Sequence, residues 1–168
     1  VRTLSKARAD LDANRRLDAL AAGSTYMKDH VVAHGFPPAA VFVLPMFLGR
    51  TAPEVDPSIL RRPGSLLFVG TLIRGKGLDL LIEALARLPR STTLSVAGSG
   101  PQEKLFRSLA RQRDVADRVT FLGRLEPGEL DEQLRRAACV VIPSREPETF
   151  GLVGLEAFRH ATPVVAAD

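Results

Sequence analysis

Residues 64–88 read GSLLFVGTLIRGKGLDLLIEALARL, and this stretch decides the fold. Its opening, Ser65 to Val69, is a short apolar run bounded by glycines, the form taken by a strand buried on both faces. Its end, Leu78 to Leu88, places Leu78, Leu81, Ile82, Leu85 and Leu88 on one helical face. A strand leading into an amphipathic helix is half of a βαβ unit, and the pattern recurs downstream. Thr93 to Ala97, Arg118 to Leu122, Cys139 to Pro143 and Pro163 to Ala167 are further short apolar runs closed by Gly, Pro or Ser. Between them lie helical segments: one with Leu105, Leu109 and Ala110 on its face, one over Glu129 to Ala138, and one opening near Gly151. This alternation predicts an α/β, Rossmann-like parallel sheet with right-handed crossovers and helices on both faces.

Upstream the pattern changes. Ser5 to about Leu17 reads as a charged helix, Leu20 to Ala22 as a short strand, Tyr26 to His34 as a helix stopped by Gly35, and Val41 to Leu44 as a strand. Gly49 to Gly64 holds prolines at 53, 57 and 63, mixed charges and no periodicity, which reads as a linker. The expected organisation is one unit over residues 1–48, a linker over 49–64 and the Rossmann-like unit over 65–168. Val1 is not methionine, and the last strand stops where its loop should begin, so a piece cut from a longer protein is expected.

The composition, 45% hydrophobic and 25% charged, is that of a globular rather than a disordered chain. A formal net charge of +4, with both signs interleaved along the chain, is compatible with an anionic ligand. Nucleic-acid surfaces combine a basic stripe with stacking aromatics, whereas the Phe residues here sit mostly in apolar runs. No nucleic-acid partner is expected. Cys139 is the only cysteine and lies in the apolar run Ala137 to Ile142; it reads as a buried, inert thiol, compatible with a cytoplasmic location. No apolar stretch approaches the roughly 18 residues that cross a bilayer, so a soluble protein is expected.

The chemistry sits on the loops that follow the strands. The turn Gly70-Thr71-Leu72-Ile73-Arg74-Gly75-Lys76-Gly77 joins flexible backbone to two cations just before a helix, which suits a phosphate. Arg74 and Lys76 read equally well as solvated turn residues. The turn is not a triphosphate-binding loop, because Gly77 stands where that loop carries a magnesium-binding hydroxyl. Nor is it a dinucleotide fingerprint, since its glycine spacing differs and no acid ends the second strand. Gly98-Ser99-Gly100-Pro101 reads as an ordinary strand-to-helix turn whose glycines would also admit a ligand to the backbone.

The most informative segment follows the fourth strand, where Glu148 and Glu156 lie eight positions apart. Glu156 is the only ionisable residue between Phe150 and Phe158, and a buried carboxylate needs a partner. Ribose hydroxyls could supply it, since an ionised carboxylate accepts from two neighbouring O–H groups; Arg145 or Arg159 is the structural alternative. Glu148 reads either as a group facing the same cleft as the free N–H groups of Phe150 to Leu152, or as a helix-capping acid.

The segment Glu148 to Glu156 resembles the E-x7-E signature of the retaining glycosyltransferases of family 4, group 1, within the wider pattern PS…E…FGL…LEA…PVVA. The resemblance extends back through FVG…KG…LIEAL, VAGSGP and RVTFLG, covering about residues 65–168. Residues 19–48, with Ala22-Gly23-Ser24, Gly35-Phe36-Pro37 and Val43-Leu44-Pro45, resemble the end of that family's N-terminal lobe. Members have two Rossmann-like lobes; the C-terminal one binds a nucleotide-diphosphate sugar and the N-terminal one supplies most of the acceptor site. The resemblance therefore implies a short remnant of the acceptor lobe followed by a donor lobe that is incomplete at its C-terminus.

By the same resemblance Glu148 would be the catalytic residue that holds donor-sugar hydroxyls, Glu156 would take the ribose hydroxyls, and Lys76 the diphosphate. The N–H groups of Phe150, Gly151 and Leu152 would assist, with Gly98, Leu122 and Gly123 close to the nucleotide. Where the family carries Arg after the first-loop glycine this chain has Thr71, and Arg74 would take over that role. No cofactor or metal is implied beyond the donor substrate. The acceptor is unspecified, and peripheral membrane association of the parent protein would run through its missing lobe. The alternatives are a noncatalytic nucleotide-binding or interaction module of the same fold, or an epimerase or phosphorylase. The E-x7-E context disfavours both enzymes, and no pyridoxal-binding lysine is identifiable for a phosphorylase.

Overall fold

The computed structural model describes residues 9–14, 16–45, 61–146, 148 and 150–167. It divides into two compact units, Val1–Phe47 and Leu48–Asp168. In the first, residues 9–14 are helical; residues 5–8 and 15 of the expected helix lie outside the described residues, and Arg16 and Leu17, expected at its end, are not helical. Strands β1 (Leu20–Ala22) and β2 (Val41–Val43) pair in parallel, with Leu20 opposite Val41. Helix α1 (Thr25–Ala33) connects them, a single βαβ unit. Ser24 caps α1 by accepting a hydrogen bond from the Met27 N–H (3.2 Å). Gly35, at φ 90°, turns the chain out of the helix as expected.

The second unit is built from β3 (Arg62–Val69), α2 (Leu78–Leu85), β4 (Thr93–Ala97), α3 (Glu103–Gln112), β5 (Val119–Gly123), α4 (Pro127–Arg136), β6 (Ala137–Ile142), α5 (Leu152–Arg159) and β7 (Val164–Ala166). Its five strands are ordered β5-β4-β3-β6-β7 and every neighbouring pair is parallel. Alternate residues of the strands feed two cores. Phe68, Leu94 and Val96 pack with Leu78, Leu81, Ile82 and Leu85 of α2 and Phe106 of α3. Leu67, Ala97 and Val140 pack with Leu134 of α4 and Ala157 of α5. Helices therefore cover both faces, and the Rossmann-like α/β expectation holds. Strands β4 and β5 lie to one side of β3 and strands β6 and β7 to the other. The winding reverses between β3 and β6, and the crevice outside their carboxyl ends is where such sheets bind ligands.

Several local expectations need correction. Leu88 is 41% exposed because α2 ends at Leu85, before the periodic pattern does. Leu105 is 57% exposed; the buried stripe of α3 is Phe106, Leu109 and Ala110. β3 begins at Arg62, three residues inside the stretch read as linker; residues 49–60 lie outside the described residues. Helix α4 opens at Pro127 through a reciprocal cap between Glu126 and Glu129, and runs straight into β6 at Ala137 with no loop. Side chains next to β3 enforce that junction. Ser65 Oγ accepts from the Ala138 N–H (3.1 Å), and Arg61 donates to the Ala137 carbonyl (3.1 Å).

Arg61 does more than close that junction. Its guanidinium also reaches Thr162 Oγ1 (2.8 Å) and the carbonyls of His160 (3.0 Å) and Ala161 (2.8 Å). One cation thus satisfies backbone acceptors at the carboxyl ends of both α4 and α5, where the helix dipoles favour positive charge.

Candidate functional site

Two loops meet at the carboxyl ends of β3 and β6, residues 70–77 after β3 and residues 143–146, 148, 150 and 151 after β6. Their contact is a backbone contact. A side chain on Gly77, at φ 71°, would sit 1.7 Å from the Pro143 carbonyl oxygen, so only glycine fits there. The glycine that removes a magnesium-binding hydroxyl is thus required by packing. The Arg145 N–H donates to the Gly75 carbonyl (2.8 Å), and its guanidinium donates to the Arg74 carbonyl (3.0 Å). That guanidinium also forks onto Asp79 of α2, at 2.6 and 2.8 Å.

This lacing brings together two of the residues singled out from sequence. Lys76 Nζ lies 2.6 Å from Glu148 Oε1, and Ser144 Oγ donates to the same oxygen at 2.5 Å. Burial pushes the Glu148 carboxyl up, but hydrogen bonds from Lys76 and Ser144 and the ammonium charge outweigh it and hold the group below its ordinary range. Glu148 is therefore ionised at neutral pH. The helix-capping reading of Glu148 is not observed; α5 has Gly151 at its cap, φ 72°, with no side-chain cap. The Gly154 N–H donates to the Gly151 carbonyl (2.8 Å), which leaves the N–H groups nearer the start of the turn for another acceptor. Arg74 lies on the same turn with its side chain exposed and without a hydrogen bond or ion pair among the described residues.

Glu156 lies one turn into α5, half-buried. Neither arginine considered for it serves as its partner: Arg145 is committed to Asp79, and Arg159 to Asp131 at 2.9 and 3.0 Å. The Glu156 carboxylate accepts no hydrogen bond among the described residues. Burial raises it above the ordinary carboxylate range, the charge of Arg159 opposes that, and Asp131 adds to it.

A cleft of about 410 Å³ opens at the carboxyl ends of β3 and β4, and Lys76, Glu148 and Glu156 are not among its lining residues. Val69, Gly70, Thr71, Gly98, Arg124 and Leu130 are among its lining residues. Gly98 is among them, and at φ 136° it also lets two loops touch: a Cβ would be 1.9 Å from the Gly70 oxygen. Leu122 and Gly123 are not in the lining. The Leu122 side chain packs into the core beneath α4 and α5, and the Gly123 carbonyl accepts from the Gly98 N–H (2.7 Å). Arg124 and Leu125, the next residues, take their place. The clue to Arg124 was a cation directly after the glycine that closes a strand, and Thr71 enters as lining although its replacement of arginine suggested a loss. Cys139 is on β6 but only half-buried rather than buried as expected, and what burial it has raises its thiol.

Residues 57–168 match the family model described as Glycosyl transferases group 1. A glycogen synthase of Mycobacterium tuberculosis is 42% identical over 109 residues, which are 63% of this chain and 26% of that protein. A D-inositol 3-phosphate glycosyltransferase of Jonesia denitrificans is 38% identical over 152 residues, 84% of this chain and 35% of that protein. The chain thus spans about a quarter to a third of the curated relatives it matches. Among solved structures, Anabaena Alr3699/HepE in complex with UDP and glucose shares the fold at a TM-score of 0.82 and 22% identity, covering 96% of this chain and 47% of that one. WaaG, a glycosyltransferase involved in lipopolysaccharide biosynthesis, is similar at a TM-score of 0.74 and 28% identity, covering 88% of this chain and 43% of that one.

Proposed function

The chain belongs to the group 1 glycosyl transferases, and from that premise we propose that residues 65–168 form the donor-binding lobe of a family 4 enzyme. This enzyme moves a sugar from a nucleotide-diphosphate sugar to an acceptor with retention of anomeric configuration. Residues 1–48 belong on this reading to the acceptor lobe, joined through residues 49–64. The observation that carries it is the meeting of Lys76 and Glu148, 2.6 Å apart, at the switch point of the sheet.

Each part of the donor then has a place. The Lys76 ammonium and the free N–H groups at the start of α5, around Phe150, Gly151 and Leu152, receive the diphosphate. Arg74, exposed on the same turn, adds a second cation. The ribose diol donates to the Glu156 carboxylate, which gains the hydrogen bonds it lacks in the free protein. The base enters the cleft beside Gly98 and Arg124, and Glu148 accepts from hydroxyls of the sugar. As the bond from the anomeric carbon to the diphosphate oxygen breaks, negative charge grows on the leaving group and positive charge on the sugar. Lys76 and the helix N-terminus stabilise the first, and the fixed Glu148 carboxylate favours the second. The structural neighbour Alr3699/HepE, in complex with UDP and glucose, supports a UDP-sugar as the first donor to try.

Titration calorimetry with UDP, UDP-glucose and their GDP counterparts, followed by a donor-hydrolysis assay, tests the assignment. Lys76→Ala is expected to weaken every nucleotide that binds by about tenfold or more, the worth of a charged hydrogen bond to phosphate. Unchanged affinity in that variant would remove Lys76 from the site.

A further inference from the structure

Both hydrogen bonds to Glu148 land on one oxygen. Oε1 accepts from Lys76 and from Ser144, and Oε2 accepts none among the described residues. The two donors differ in how they are held. Lys76 reaches Glu148 through a long flexible side chain from the opposite loop. Ser144 follows Pro143, whose carbonyl is packed against Gly77, so its short side chain springs from a backbone held in place on the same loop as Glu148. On the proposed reading, on which this inference rests, Lys76 must also neutralise the diphosphate. An ammonium has three donors, and each that turns toward the more strongly charged diphosphate loosens its 2.6 Å hold on the carboxylate. The Lys76 contact to Glu148 then weakens at the moment the orientation of that carboxylate matters.

We propose that Ser144 is a positioning residue, whose hydroxyl keeps Glu148 Oε1 anchored once Lys76 has turned to the diphosphate and leaves Oε2 to accept from the donor sugar. Before the exchange burial pushes the Glu148 carboxyl up, but Lys76 and Ser144 together hold it below its ordinary range, and Ser144 is the donor that stays. The exchange links the two halves of donor recognition: the diphosphate takes the lysine, and the carboxylate released from it is taken up by the sugar. Ser144 keeps that carboxylate from swinging toward the phosphates, which would repel it.

The test is titration calorimetry of the full chain with UDP, GDP and ADP and with their glucose conjugates. The quantity read is the affinity advantage of a conjugate over its bare nucleotide. Ser144→Ala is expected to cut that advantage by about tenfold, the loss of one hydrogen bond to a charged group. Bare-nucleotide affinity should change by less than about twofold. Ser144→Thr, which keeps the hydroxyl, should restore the advantage. Adding Ser144→Ala to Glu148→Gln should cost nothing further, because Ser144 acts through Glu148; a merely structural serine would cost the same in either background. That cycle also decides the matter if Ser144→Ala lowers stability. An unchanged conjugate advantage in Ser144→Ala, with Lys76→Ala still weakening all ligands, overturns the inference and leaves the donor site standing. Failure of the wild-type chain to bind any of these ligands overturns both.

Discussion

Replacing Glu156 by glutamine should stabilise the protein while weakening its nucleotide binding, a pairing that a structural carboxylate would not give. The free protein holds this half-buried group without a hydrogen bond among the described residues, and burial raises its carboxyl above the ordinary 4.5. A folded-state value above the unfolded one means that the protonated form is favoured by folding. That contribution is fully present below the unfolded value and is lost as pH rises through the raised folded value. At neutral pH the ionised group therefore opposes folding, and a neutral amide of the same shape removes the penalty. Solvent screens a half-exposed charge, so the gain is held to about 0.5 kcal/mol. For a unit of this size that is a rise in Tm of roughly 1–3 °C. Binding moves the other way. Glutamine cannot accept from both ribose hydroxyls as a carboxylate does, and losing a charge-assisted bond costs about 1.5–3 kcal/mol, or tenfold to a hundredfold in Kd. The assays are thermal melts from pH 4 to pH 8 (from about the reference carboxylate values to about four units above them) and calorimetry with UDP. The Tm gap between variant and wild type should open as pH rises and close in acid. A variant that melts below wild type at neutral pH, or binds UDP equally well, would refute the assignment of Glu156 to a ligand.

Two further perturbations address the scaffold. Arg61→Ala should lower the stability of the second unit by about 2–4 kcal/mol, because several carbonyls at two helix ends lose a shared charged donor. Urea unfolding would read it, and Arg61→Lys should recover only part, since an ammonium lacks the planar fork. Gly77→Ala combines a left-handed backbone with a contact of 1.7 Å to the Pro143 oxygen. It should cost at least about 2 kcal/mol and separate the loops that carry Lys76 and Glu148; unaltered nucleotide affinity in a folded Gly77→Ala protein would contradict that dependence.

The order of strands and helices was legible because each signal is local. A short apolar run and a 3.6-residue stripe are completed within a few residues, so Ser65 to Val69 and Leu78 to Leu85 could be read directly. Periodicity names a face but not an end, which is why Leu88 was placed on a helix that had already stopped. Arg61 was illegible for the opposite reason. Its partners lie 74 to 101 residues away in the chain, and nothing near it in sequence marks them. The same limit separates Glu148 from Ser144 as a structural pair: both were in view as parts of one motif, but the shared oxygen with Lys76 depends on a loop 72 residues upstream. The resemblance put Leu122 and Gly123 close to the nucleotide, but the alternation of the strand turns the Leu122 side chain into the core, and it is Arg124 and Leu125 that line the cleft.

Amide chemical-shift mapping of the isotopically labelled chain during titration with UDP-glucose tests the central assignment most directly. The account predicts saturable shifts that group on residues 70–77, Gly98, Arg124 and the start of α5, with Lys76→Ala weakening the response. Shifts confined to other surfaces, or none at any concentration, would contradict it.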